Sequence, residues 1–251
     1  MYELPVYVWA LVMVGVVGIP AVTGVALYRG AVAVGMGRRT ATVIVTAAGA
    51  VWAGWLVTSG ALAAVGAFRQ DPGANRPWIG LAAVAALTAV LVAARIPVAR
   101  RILADPGAPA LLTWPHTLRV AGGVFLVVWA LGGLPAAFAI PAALGDIAIG
   151  VAAPFVARRL ASGIYDARAV WFNIMGIVDL VVAVGVAFLA GLGPARLLDV
   201  TPSTEAVALL PLALIATTAV PLAVALHIVS LRRLHAMSRG RTGMAADALT
   251  R

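Results

Sequence analysis

Two carboxylates in this sequence stand where a carboxylate is costly. Asp146 lies in Leu144-Gly145-Asp146-Ile147-Ala148-Ile149-Gly150 and Asp179 in Gly176-Ile177-Val178-Asp179-Leu180, each inside a long apolar run. An acid in such surroundings must be protonated, hydrated or paired, and intramembrane acids are functional candidates by default. Gly150 follows Asp146 by four residues and Gly176 precedes Asp179 by three, so on a helix each carboxylate shares a face with a glycine that lets a neighbour approach closely. Asn173 falls nearly two turns before Asp179 on a similar face. Such a cluster serves a structural clamp as readily as a transport site.

Arg119 is the natural counter-ion. Its depth depends on where its helix begins, near Ala110 or near Pro115. The first start, favoured because Pro109 to Leu118 is apolar, places the guanidinium about nine residues or roughly 13 Å deep, close to Asp179. The expectation is a buried Arg119–Asp179 ion pair with Asp146 nearby, and Arg119, Asp146, Asn173 and Asp179 are the candidate binding residues. His116, His227 and His235 fall toward the same end of their runs and read as interfacial polar residues rather than haem ligands.

The elements that must hold these groups are membrane-spanning. Of 251 residues, 63% are hydrophobic and 11% charged, whereas a soluble domain charges about a quarter of its residues. Apolar runs repeatedly reach the roughly 20 residues that cross a bilayer as helix. The pattern predicts an all-α polytopic bundle of about seven helices. Its spans are Pro5 to Tyr28, Arg38 to Phe68, Trp78 to Ala94, Ala110 or Pro115 to Gly132, Pro141 to Ala157, Ala167 to Gly191 capped by Asp166, and a last one from Thr201-Pro202 to Leu231. Residues 1–231 form one transmembrane domain, and 232–251 a short basic tail. The start Met1-Tyr2-Glu3 lacks a basic signal region, so the first helix reads as retained. Asn75 and Pro77 suit the start of the third helix.

With alternating directions, fifteen of the 18 basic residues, all arginine, fall on one side and Arg69, Arg76 and Arg196 on the other. The arginine-rich side, Arg241 and Arg251 included, is then cytoplasmic, with the N-terminus outside and the C-terminus inside. The net charge of +9 thereby reflects topology and not nucleic-acid binding. Trp9, Trp78, Trp114 and Trp171 sit near helix ends as interfacial anchors, while Trp52, Trp55 and Trp129 fall inside their spans as packing residues. Helices one to three and five to seven show no convincing repeat.

Arg119-Val120-Ala121-Gly122, Leu134-Pro135-Ala136-Ala137-Phe138-Ala139, Gly145-Asp146, and Trp171-Phe172-Asn173 with Gly176 and Asp179-Leu180 resemble an uncharacterised family of bacterial multi-pass membrane proteins. The resemblance covers about a quarter of the chain and implies a bacterial inner membrane but no activity. Without lysine there is no retinal Schiff base, which eliminates a rhodopsin. The topology is similar to that of seven-helix sugar transporters, an analogy only. Without cysteine there are no disulfides, thiolate metal sites or cysteine nucleophiles. No nucleophile–base set, metal motif or phosphate loop occurs, so the sequence leans against an enzyme and predicts no cofactor and no metal. A small-molecule or proton-linked transporter, with lipid as its surroundings, is the favoured expectation; a non-catalytic scaffold or accessory subunit is the alternative.

Overall fold

The computed structural model describes residues 4–73 and 77–249, with side chains through 239. Of the residues singled out above, Met1 to Glu3, Asn75, Arg76 and Arg251 lie outside the described residues, as does the side chain of Arg241. Among those described there are helices and no strands: α1 (Val6–Ala33), α2 (Arg38–Ala64), α3 (Trp78–Ala93), α4 (Pro97–Leu103), α5 (Ala108–Thr113), a 3-10 segment (Trp114–Gly123), α6 (Val124–Ala130), α7 (Ala136–Ala161), α8 (Ala167–Leu189), a short 3-10 turn (Glu205–Ala208), α9 (Leu212–Leu214), a π turn (Ile215–Ala219) and α10 (Val220–Leu249).

Among the described residues six spans are long and apolar enough to cross a bilayer: α1, α2, the composite Ala108–Ala130, α7, α8 and Leu212–Arg239. The expected third span differs. Helix α3 has 16 residues, about 24 Å by helical rise, and reaches spanning length only together with α4, across a bend of 80°. Ile96-Pro97 causes the break, because the residue before a proline is driven out of helical geometry and Ile96 sits at ψ 140°.

Three further boundaries depart from expectation. Helix α7 begins at Ala136 and runs through Pro141 instead of starting there, since one lost backbone bond is tolerable inside a membrane bundle. Thr201-Pro202 starts no helix. The Thr204 amide donates to the Ala190 carbonyl at 3.0 Å and its hydroxyl to the Ala187 carbonyl at 2.5 Å, so this stretch satisfies the unpaired C-terminal carbonyls of α8, and the last span begins at Leu212. Helix α10 does not stop at Leu231 but continues to Leu249.

Two spans depart from α geometry, the composite one at mid-length and the last one near its start. Pro115 has no amide hydrogen for the carbonyl of Leu111 and Gly122-Gly123 resists helix, so Ala108–Ala130 tightens into a ten-residue 3-10 stretch, unusually long for that form. In the last span Thr217 and Thr218 donate their hydroxyls to the carbonyls four residues back, a pattern that bends helices. Pro221 likewise has no hydrogen for the Thr217 carbonyl; the Trp55 indole supplies one at 2.9 Å.

The core is the narrow stripe of α1 (Val8, Val12, Val16, Ile19) laid against the composite span, α7 and the last span. Trp9, Trp78 and Trp171 are exposed, and so is Trp129 at 42%. Trp129 was expected to pack inside its span, but α6 ends one residue later, which places the ring at a helix terminus. Trp52 packs against the core.

Candidate functional site

Arg119 sits at the middle of the composite span, 3% exposed. Its Nε donates to Asp146 Oδ1 of α7 at 2.7 Å, and its Nη2 to Asp179 Oδ2 of α8. Its Nη1 faces the Gly176 carbonyl at 3.4 Å and His227 Nε2 of α10 at 3.2 Å. One guanidinium thus holds three other spans. The expected pair is present, and Asp146 is its second anion rather than a mere neighbour.

The hydrogen-bond directions follow from chemistry. An arginine only donates, so His227 Nε2 accepts and carries no hydrogen. The hydrogen is then on Nδ1, which donates to Asn173 Oδ1 at 3.0 Å, while Asn173 Nδ2 donates to the Ala169 carbonyl at 2.8 Å. His227 is neutral in this assignment, made from the network, because a second ring hydrogen would point at the guanidinium. The chain runs from the α8 backbone through Asn173, His227 and Arg119 to the two acids.

Four glycines admit this cluster. A Cβ at Gly122 would strike Asp146, one at Gly145 would strike Asp179, one at Gly150 would press on the backbone of Val120, and one at Gly176 would enter the His227 ring. The glycines flanking the acids in sequence therefore serve close approach, with Gly150 against the 3-10 segment and Gly176 against α10 as their actual neighbours. Phe172, Asn173, Gly176, Asp179 and Leu180 share one helical face, which turns α8 toward α10 and Arg119.

His227 and His116 are corrections to the sequence reading. Both are buried, at 0% and 1% exposure, and their rings stack with centroids 3.8 Å apart. Neither is interfacial. His116 leaves both ring nitrogens without a hydrogen-bond partner. The signal was available for His227, since an ionisable residue inside Val220 to Leu231 invites the suspicion raised by the acids. His116 owes its burial to the helix starting at Ala108, the earlier of the two starts considered.

A cavity of about 40 Å³ adjoins the cluster, walled by Arg119, Gly122 and Asp146, by Val12 and Gly15 of α1, and by Ile215 and Ala219 of the π turn. Asp179 is not among its lining residues. The space suits a few waters at most, against the ~300 Å³ or more of pockets for drug-sized ligands.

A family model described as a domain of unknown function, DUF8737, matches residues 76–235. The chain belongs to the DUF8737 family. The match contains every polar residue of the cluster and leaves out α1 and α2, so the DUF8737 region supplies the charges while α1 supplies apolar cavity wall. No curated protein and no solved structure matches.

Outside the cluster, Asp166 caps α8 by accepting from the Ala169 amide and from Arg159 Nη2 at 2.6 Å. The Arg159 hydrogen bond holds its carboxyl below the usual carboxylate range. Arg101 donates to the Val34 carbonyl at 3.1 Å, Arg233 to the Ala104 carbonyl, and Tyr165 to the Pro106 carbonyl at 3.0 Å. These bonds tie the arginine-bearing connections together at one end of the bundle. At the other end Gln70 accepts from the Leu192 amide at 2.5 Å.

Proposed function

We propose that this protein is a proton-linked transporter of a bacterial inner membrane, with Arg119, Asp146, Asn173 and Asp179 as its working residues. One arrangement carries the reading: a guanidinium shared by two carboxylates at mid-span, beside a cavity where two spans leave α geometry. With both acids ionised the trio carries one excess negative charge, which a single proton neutralises. Broken or re-wound helices at membrane depth are tolerated where they line a cavity and recur where transporters bind ions. The small cavity favours proton or water passage at rest and requires an opening motion for any larger substrate.

Seven crossings, with the N-terminus outside, go with this reading. Helices α3 and α4 together connect the Gln70 end of the chain's path to Ala104, which supports counting the bent pair as a seventh crossing. The arginines gathered at the Ala104 end favour its cytoplasmic placement.

The dry contacts at the four glycines favour a second reading, a scaffold in which the cluster only clamps spans together. Proteoliposomes holding a trapped pH dye, challenged with a panel of small metabolites under a proton gradient, separate the two. Transport predicts substrate-dependent lumenal acidification that Asp179→Asn abolishes while the protein stays monodisperse. If no compound moves protons and Asp179→Asn only lowers protein abundance, the scaffold reading holds.

A further inference from the structure

The two carboxylates on Arg119 are not equivalent. Asp146 lines the cavity and Asp179 does not. Asp146 spends Oδ1 on Arg119 Nε and keeps Oδ2 beside Gly122, whose missing side chain leaves that oxygen its room. Asp179 is pressed against Gly145 of α7 and faces the guanidinium end through Nη2.

We infer that Asp146 is the side chain that takes up and releases the proton, and that Asp179 is the positioning residue that stays ionised and holds Arg119. This rests on the transport reading for its purpose, though not for its test. The step balances with a hydronium ion as donor: one of its O–H bonds breaks as the Asp146 Oδ2–H bond forms, and neutral water is left in the cavity. Oδ1, now a carbonyl oxygen, still accepts from Arg119 Nε, and Asp179 still neutralises the guanidinium. The trio passes from one excess negative charge to none, and both carboxyl groups keep their hydrogen bond to Arg119 at either stage. Overall exposure does not separate the two, at 13% for the Asp146 side chain and 16% for that of Asp179; the cavity does, and protonating Asp179 would put the neutral group away from it.

The groups around Asp146 support a proton over a metal ion. From the 3-10 segment it faces Arg119; from α8, Asp179; from α10, His227 stands behind Arg119 with His116 stacked on it. Helix α1 contributes Leu11, Val12, Gly15 and Ile19, none of which titrates. Hard cations gather about six oxygens, whereas no lining side chain other than Asp146 carries one. Among the described residues no three His, Cys, Asp or Glu groups converge as a metal site would need.

The test is infrared difference spectroscopy of the purified full chain between about pH 4 and about pH 9, a range spanning ordinary and perturbed carboxyl titration. Protein grown with carboxyl-¹³C aspartate should show an isotope-shifted C=O stretch from a buried protonated carboxyl. In Asp146→Glu that band should return to the unlabelled position, and in Asp179→Glu it should stay shifted. If Asp146→Glu does not yield folded protein, Asp146→Asn is read instead, and the band should vanish. A band that follows Asp179, or no buried carboxyl band in the parent protein, overturns the assignment. A band that follows Asp146 in protein that moves no protons upholds it while the transport reading fails.

Discussion

Helix α2 and the last span are both apolar enough to cross a bilayer, yet only 6% of α2's most apolar window is buried, against 67% for Leu212–Arg239. Helix α2 buries Ala41, Ser59 and Ala63, packs Trp52 and Leu56 against the core, reaches the last span through the Trp55 indole, and leaves most of its surface outward. The last span is buried over most of its length from Leu212 to Ser230 and carries His227 into the charged cluster. Hydrophobicity therefore says that a helix enters the membrane and little about whether it works there. The polar atoms a span must satisfy distinguish the two, and the DUF8737 match falls on the part that contains them.

The largest break in this contrast should come from Arg119→Ala. It strands two carboxylates among four spans, and removing one partner of a buried ion pair costs about 3–5 kcal/mol. Fluorescence-detected size-exclusion chromatography of a tagged version should show most of the folded peak lost. Glycine substitutions sharpen the comparison within one residue type. Gly145→Ala drives a methyl into Asp179 and should lower stability by about 1–3 kcal/mol, the usual cost of overpacking. Gly49→Ala in α2 meets nothing within 4 Å and should leave thermal stability unchanged or raise it by up to about 1 kcal/mol. Equal effects at the two positions would erase the distinction.

Smaller effects probe where the two regions meet. Trp55→Phe removes the donor that stands in for the hydrogen Pro221 lacks, and should cost about 0.5–1.5 kcal/mol in detergent thermal unfolding. A Tm equal to the parent's would mean the Thr217 carbonyl finds another donor. Smallest is the cap at Asp166. Arg159 lowers its carboxyl, so the contribution is present above the unfolded value of about 3.9 and fades as pH falls through the lowered one. Unfolding midpoints of the parent protein and Asp166→Asn should therefore differ at neutral pH and converge in acid. A gap that persists in acid would contradict the assignment.

Much of this was legible in the sequence because the signals were local. Runs of apolar residues set α1, α2 and α8 to within a few residues, and Asp166 announced its cap. Arg119, Asp146, Asn173 and Asp179 stood out because charge and amide groups are scarce in such runs. The long-range features were not legible. Whether Thr201-Pro202 opens a helix depended on Thr204 reaching the end of α8, and nothing nearby in the chain records that. Its place in the chain sets His227 toward the end of an apolar run, whereas its tautomer and role follow from Arg119 lying beside it. The 3-10 and π segments had visible causes in Pro115 and Pro221, but what those breaks expose is decided by helices far away in sequence.

The account stands on Arg119 being held by two carboxylates at once inside the bundle. The most direct measurement is a double-mutant cycle in lipid nanodiscs, comparing unfolding of Arg119→Ala, Asp179→Asn and the two combined. The account predicts that the combined variant is more stable than Arg119→Ala alone, because neutralising Asp179 removes one stranded charge. Losses that simply add would contradict it and leave Arg119 and Asp179 as neighbours without a shared charge.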